Sequence, residues 1–335
     1  MKIGFFEAEG WEKEILEKEF VEHNLIFTKD WLTKENVENY KDIDILSIFI
    51  SSKIDKEIID SLPNLKFIAT RSTGFDHIDI DYCKKKGIIV SNVPEYGTKT
   101  VAEWTIGLML NLMRKIYYAI DQIKEAESFD LSNLRGEELY GKTLGVIGTG
   151  RIGKEVIKLA KAFGMNILAY GTYQDENFAK EYNFKYVSLE ELLKNSDVIT
   201  IHTKLTPSTY HLINKNNIHL IKKGAYLINT ARGGIIETEA LIYALKEGIL
   251  KGAALDVLEE ETEIKEELEI LAKQDLKTEE IKTLWQNHIL MKMPNVLITP
   301  HTAFNSKEAI ERILKITIEN IKGFLSGNYL NIVNR

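Results

Sequence analysis

Residues 143–164 read TLGVIGTGRIGKEVIKLAKAFG. The opening five residues form a short β-rich run. Gly148, Gly150 and Gly153 follow as G-x-G-x-x-G, and the remainder carries apolar residues at helical spacing. Each glycine has a mechanical reason in such a strand–turn–helix. The first permits a tight turn and the second lets a pyrophosphate approach the backbone. The third lets helix and strand pack closely, with the phosphates at the positive end of the helix. Glycine spacing alone is a weak signal, but this position between strand and helix favours a dinucleotide site over an ordinary glycine turn. The next strand should end in an acidic residue that holds the ribose hydroxyls of NAD. In NILAYGTYQD (166–175), Gly171 stands there instead, with Asp175 a few residues on and placed to reach in. NAD is the expected cofactor. NADP stays open, because without a carboxylate the site loses its main repulsion against a ribose phosphate; no arginine stands beside Gly171 to attract one.

The same rhythm extends in both directions. Before the glycine turn, strands are expected at 2–7, 25–28, 44–50, 65–71 and 88–93. From the turn onward they are expected at 143–147, 166–169, 185–187, 198–202, 225–229, 253–257 and 296–299. Strand–helix alternation implies parallel sheets covered by helices, and continuous apolar runs such as YLIN and VLIT fit burial on both faces. A long helix is expected from Thr100 to about Glu127, opened by a capping box between Thr100 and Glu103. A second one, Ser306–Leu325, closes the chain and is expected to pack back on the first domain. The stretch 262–293 is charged, carries Ile264, Leu268 and Leu271 at helical spacing, and reads as one or two inserted surface helices.

The chain has 335 residues, 44% hydrophobic and 28% charged, which fits a globular protein of two domains. A formal net charge of -7 argues against nucleic acid as the main partner, since phosphate binding needs a basic face. Lys84–Lys86 read as a solvated helix face. The single cysteine, Cys83, leaves no internal disulfide and no thiolate zinc cluster, and no metal is expected. No run approaches the roughly 18 apolar residues of a membrane span, and MKIGFFEAEG lacks a signal peptide's pattern, so the expected location is the cytoplasm.

Three polar residues lie just beyond expected strands: Arg232 after YLINTA, Glu261 after AALDV, and His301 in NVLITPHTAF (295–304). Ligands of open α/β sheets bind at the carboxyl ends of strands. An arginine there can grip a carboxylate and polarise a neighbouring carbonyl. A histidine can donate the proton that follows a hydride, and a nearby carboxylate keeps the imidazole charged. Each residue also has a plainer reading: a packed histidine, a loop-capping arginine, and one of three glutamates of which two are solvated surface. Their joint placement favours catalysis. His202 also ends a strand and competes with His301.

These residues sit in a set of motifs: RSTGFDHIDID (71–81), VPEYGTKTVAEW (93–104), GVIGTGRIG (145–153), INTARGG (228–234), ALDVLEEE (254–261) and TPHTAF (299–304). Together they resemble the D-isomer-specific 2-hydroxyacid dehydrogenases over nearly the whole chain, most of all the D-lactate dehydrogenase branch. The resemblance implies two doubly wound α/β parallel-sheet domains. One is a flavodoxin-like substrate domain (1–99 plus 302–335), and the other a Rossmann-type cofactor domain (100–301). It implies Arg232 as the substrate-orienting arginine, Glu261 as the partner of histidine, and His301 as proton donor, with His202 on the cofactor side. Thr73 and Gly74 would bind the substrate carboxylate through their backbone. Tyr96 stands where lactate-type members place a tyrosine near the substrate, although a packed turn aromatic fits as well. Arg151, Ile152, Thr203, Thr209, Thr230, Ala231, Arg232 and Asp256 join the glycines on the cofactor. The departures are Gly171 for an aspartate, Lys204 for a proline, and Thr262 for the proline usual after the catalytic glutamate.

The expected reaction is reduction of a small 2-keto acid, pyruvate first. Phosphoglycerate- and hydroxyisocaproate-type reactions are the alternatives, and an NAD(H)-sensing corepressor-like binding protein is the alternative from another class. The broad apolar face WTIGLMLNLM (104–113) is, by resemblance, the contact of a homodimer.

Overall fold

The computed structural model describes residues 1–259 and 278–335. Glu261, Thr262, Ile264, Leu268 and Leu271 lie outside the described residues. The chain divides into two compact units, residues 1–96 with 306–335, and 97–305.

The first unit holds β1 (Lys2–Phe5), β2 (Asn24–Phe27), β3 (Ile45–Ile48), β4 (Phe67–Thr70) and β5 (Ile89–Ser91). All pair in parallel in the order β2-β1-β3-β4-β5, the flavodoxin order. Strand side chains alternate between two cores. Ile3, Phe5, Ile45 and Phe67 meet Leu16 of α1 (Gly10–Glu19) and Leu314 and Ile321 of the closing helix Lys307–Leu325. Leu46, Ile48, Ile68 and Val90 meet Ile58 of α2 (Lys56–Ser61) and Cys83 of α3 (Ile80–Lys86). Cys83 is a core residue, and burial pushes its thiol up to about 12, so it stays protonated and inert. Ser306 caps the closing helix, accepting from Ala309 N at 3.2 Å. Beyond that helix, Val333 N donates to Val90 O, so the tail covers the β5 edge.

The second unit holds β6 (Thr143–Ile147), β7 (Asn166–Tyr170), β8 (Lys185–Tyr186), β9 (Val198–Ile201), β10 (Ala225–Asn229), β11 (Leu250–Leu255) and β12 (Val296–Ile298). The order is β12-β11-β10-β9-β6-β7-β8, all parallel. Counted from β6 this is the Rossmann order, extended by β12 at one edge. Ala102, Ile106 and Met109 of α4 (Thr98–Arg114) and Val156 and Ile157 of α6 (Arg151–Ala162) cover one face. Leu192 of α8 (Leu189–Asn195) and Leu241 and Leu245 of α9 (Thr238–Lys246) cover the other. Among the described residues the remaining α-helices are α5 (Ile116–Ala126), α7 (Glu176–Glu181) and α10 (Thr278–Lys292), the last in the charged stretch.

One expectation needs correction. The helix expected from Thr100 begins at Thr98 with Gly97 as its cap, so the Thr100–Glu103 capping box does not form. It also ends at Arg114, because Lys115 takes the left-handed conformation (φ 55) before α5 begins. On the WTIGLMLNLM stretch, expected by resemblance as a dimer contact, Thr105, Ile106, Leu108, Met109, Leu112 and Met113 are buried. On α5, Ile116, Tyr117, Ile120 and Ile123 are exposed.

Candidate active site

Gly148 begins the turn after β6 at φ 94, a conformation that L side chains rarely adopt. A Cβ there would stand 2.7 Å from the carbonyl of His202, so the turn also depends on the glycine's size. At Gly153 a Cβ would fall 2.0 Å from Gly148 O, which is the close helix–strand contact the spacing implied. Gly150 is different: it caps α6, and nothing lies within 4 Å of a Cβ built on it. That open backbone at the head of a 12-residue helix fits a dinucleotide pyrophosphate. Arg151 and Ile152 form the first turn of α6.

Gly171 follows β7. A Cβ there would meet only Tyr173 O at 3.6 Å and Thr149 at 3.7 and 3.8 Å, ordinary contacts, so packing does not require a glycine. Asp175 is engaged locally: its carboxylate pairs with Lys154 Nζ at 2.5 Å and caps α7 through Phe178 N. Lys154 holds the Asp175 carboxyl below the usual range. Thr149 Oγ1 lies 2.9 Å from the Tyr186 hydroxyl, which itself accepts from Asp175 N.

His202 and Thr203 follow β9. His202 Nε2 lies 2.9 Å from Thr200 Oγ1, and burial pushes the ring's pKa down to about 3. Burial therefore disfavours the charged form of the His202 ring. Thr209 closes the following loop, donating to Lys204 O at 2.6 Å and accepting from Thr206 N at 2.8 Å.

The ends of β10, β11 and β12 are tied in series. Asp256 N donates to Asn229 O at 2.9 Å, and His301 N donates to Asp256 O at 2.8 Å. Asn229, 1% exposed, also organises the Arg232 turn: its amide donates to Arg232 O and its oxygen accepts from Ala231 N. Thr230 Oγ1 lies 3.0 Å from Thr105 Oγ1 of α4. The Arg232 guanidinium donates to Ala231 O.

His301 itself has φ 52, so the ring stands on a left-handed residue immediately after Pro300. The Asp256 carboxylate secures this turn. It accepts from Thr299 Oγ1 at 2.5 Å, Thr302 N at 3.0 Å and Ala303 N at 2.9 Å. Burial nevertheless raises the Asp256 pKa, against these stabilising bonds.

The first of the three glutamates is not solvated surface as expected. The Glu259 side chain is 10% exposed and accepts from His211 Nε2 at 2.6 Å and Thr238 Oγ1 at 2.7 Å. Asn229 and His211 were not singled out in the sequence: the side-chain partners of Asn229 lie two and three residues on, within INTARGG, whereas the His211 partner is 48 residues away and leaves no local pattern.

In the first unit, Thr73 and Gly74 lie in the loop after β4. Thr73 Oγ1 donates to Val93 O at 2.8 Å, Asn92 donates to Thr73 O at 2.8 Å, and Ser72 Oγ donates to Gly74 O at 2.6 Å. Among the described residues, the backbone N–H groups of Thr73 and Gly74 have no protein acceptor. Arg71 leads into this loop and pairs with Glu12 at 2.8 Å, both side chains nearly inaccessible. Tyr96 is buried, and its carbonyl accepts from Arg312 Nε.

Residues 106–303 match the family model for the D-isomer specific 2-hydroxyacid dehydrogenase, NAD binding domain. The chain belongs to the D-isomer specific 2-hydroxyacid dehydrogenases. Its fold is shared with the crystal structure of D-lactate dehydrogenase from Aquifex aeolicus complexed with NAD and lactic acid. That likeness has a TM-score of 0.88 and 36% identity over 99% of both chains. Glyoxylate reductase of Thermofilum pendens is 40% identical over 90% of this chain and 84% of its own length. D-3-phosphoglycerate dehydrogenase of Methanocaldococcus jannaschii is 41% identical over 90% of this chain, which spans 54% of that relative. The dehydrogenase family is thus shared by relatives named for different substrates. Among the described residues no helix is long and apolar enough to cross a membrane, and no cluster of ligands for a metal ion occurs.

Proposed function

We propose that this dehydrogenase reduces a small 2-keto acid to the D-2-hydroxy acid with NADH, and that pyruvate is the substrate. The carrying observation is the serial tie Asn229–Asp256–His301, which runs across the ends of β10, β11 and β12 in the NAD-binding unit, the arginine turn following β10 and the histidine turn following β12. The whole-length likeness to a lactate-bound D-lactate dehydrogenase supports the choice of substrate.

Bound NADH supplies the hydride. Its pyrophosphate would lie over Gly150 at the head of α6, beside Arg151 and Ile152, and Thr203, Thr209, Thr230 and Ala231 would line the rest. Arg232 grips the substrate carboxylate in bidentate fashion and polarises the carbonyl oxygen. By resemblance the backbone of Thr73 and Gly74 would bind the substrate carboxylate. As the hydride reaches the carbonyl carbon, the proton on His301 passes to the developing alkoxide, giving the hydroxy acid. By resemblance Glu261 is the partner of His301. Asp256 acts through the turn that carries His301.

NAD(H) is preferred to NADP(H) on the family's domain. Gly171 leaves the discrimination shallow, since no carboxylate repels a ribose phosphate there. We further propose a homodimer with α5 in its interface, where Ile116, Tyr117 and Ile120 are exposed. Light scattering should give twice the chain mass, falling to one chain for Ile120→Glu. The activity is tested by replacing Arg232 with Lys, which keeps the charge but not the fork. The expected result is a raised KM for pyruvate and a lowered kcat; unchanged kinetics would remove Arg232 from the reaction.

A further inference from the structure

Resting on the reading above, we infer that His211 and Glu259 form a positioning pair. It fastens the cofactor loop to the two segments that carry Arg232 and lead to Glu261. His211 ends the loop that begins with Thr203 and contains Thr209. Its ring donates through Nε2 to Glu259 at 2.6 Å, and the Tyr210 ring stacks on it at 3.9 Å and 18°. Its backbone N–H donates to Gly234 O at 2.9 Å, in the turn that Arg232 opens. The same turn is pressed against the third segment, since a Cβ on Gly233 would stand 2.0 Å from the Leu258 carbonyl carbon.

Glu259 closes the triangle. Besides His211, its carboxylate takes the hydroxyl and the N–H of Thr238, at 2.7 and 3.3 Å, at the head of α9. Its own carbonyl accepts from Asn287, a fully buried residue of α10, at 2.7 Å. Residue 259 is therefore held on both its side chain and its backbone, two positions before the glutamate assigned to the proton donor. His211 takes a left-handed backbone (φ 49) to reach it, a strain that surrounding contacts must hold in place.

A merely structural pair would change stability alone. A positioning pair changes cofactor affinity and turnover together, because one tie serves both the loop that meets NADH and the turn that meets substrate. Glu259→Gln keeps an oxygen for the His211 N–H and should restore what Glu259→Ala loses. His211→Asn tolerates the left-handed backbone but is too short to reach, whereas His211→Gln restores the reach.

The experiment measures the NADH dissociation constant by fluorescence titration without substrate, then kcat and KM for pyruvate. It uses the full-length wild type, Glu259→Ala, Glu259→Gln, His211→Asn, His211→Gln and the Glu259→Ala/His211→Asn double variant. The expected result is at least about a threefold weaker NADH affinity and about a tenfold lower kcat in each disrupting single variant. The double variant should be no worse than the worse single one, and both glutamine variants should approach wild type. Wild-type NADH affinity and kcat in Glu259→Ala and His211→Asn would overturn the pair's role, as would effects that multiply in the double variant. If Glu259→Ala does not fold, the contrast between His211→Asn and His211→Gln decides alone. A wild type that binds no NADH would instead strike the functional reading.

Discussion

Asp256 has no expected contact with reacting atoms, yet its replacement should be among the most damaging changes to catalysis. Asp256→Ala removes the acceptor of two backbone N–H groups, Thr302 and Ala303, and of the Thr299 hydroxyl. Ala303 is 3% exposed, so water does not readily replace the lost partner there. A buried donor left unsatisfied costs about 1–3 kcal/mol, and the better solvated Thr302 and Thr299 groups cost less, so about 2–5 kcal/mol is the expected total. The cost falls on a turn whose central residue is the left-handed His301. That turn is tied to the rest of the unit through β12, so local opening takes up the strain before global unfolding does. At about 1.4 kcal/mol per tenfold, a turn weakened by about 3 kcal/mol exposes a loss of roughly a hundredfold in productive histidine placement. Asp256→Asn should be milder, since its oxygen still serves one side while its NH2 meets one backbone N–H head-on. The assay is steady-state reduction of pyruvate, read beside thermal unfolding and NADH titration. The expected order of kcat is wild type, then Asn, then Ala. Wild-type kcat in the alanine variant with an intact melting curve would refute the claim that this carboxylate holds the histidine turn.

Three other outcomes follow from particular contacts. Gly171→Asp has room for its Cβ at 3.6 Å or more from its neighbours. It should sharpen the ratio of kcat/KM for NADH over NADPH by about tenfold or more, and an unmoved ratio would mean that the ribose is read elsewhere. His202 has a folded pKa of about 3, below its ordinary 6.5, so the unfolded chain protonates first as acid is added. The neutral ring's stability is full above pH 6.5 and is lost as pH falls toward 3. His202→Gln should therefore flatten the fall of Tm across that window, and an equal fall in both proteins would refute the assignment. Glu12→Ala leaves the Arg71 guanidinium buried without its bidentate partner and should destabilise the protein by about 3–5 kcal/mol in denaturant unfolding; a loss under about 1 kcal/mol would contradict the buried pairing.

Much of the fold was legible because its strands are continuous apolar runs set off by polar turns and helical periodicity. Every expected strand occurs, although β11 starts earlier, at Leu250, and stops before Asp256, which turns to serve the His301 loop. The glycine turn was legible because backbone geometry demands glycine at fixed offsets. What escaped were features fixed by distant partners. Thr100 and Glu103 match a capping pattern, yet the helix starts at Thr98, and nothing in RKI announces that Lys115 will take a left-handed backbone. The Glu259–His211 bond joins residues 48 apart, and three consecutive glutamates do not announce which is buried. Asp256 was named for the cofactor by resemblance; its bonds to Thr299, Thr302 and Ala303 give it a second task that no local motif records.

The central claim is that His301 supplies the proton in an NADH-dependent reduction of a 2-keto acid. The direct measurement is loss of reduced-nicotinamide absorbance with pyruvate, using wild type and His301→Gln side by side with NADH binding checked in both. The account predicts steady turnover by the wild type and a loss of at least about a hundredfold in kcat for the variant at unchanged NADH affinity. Equal turnover in the two proteins would contradict it.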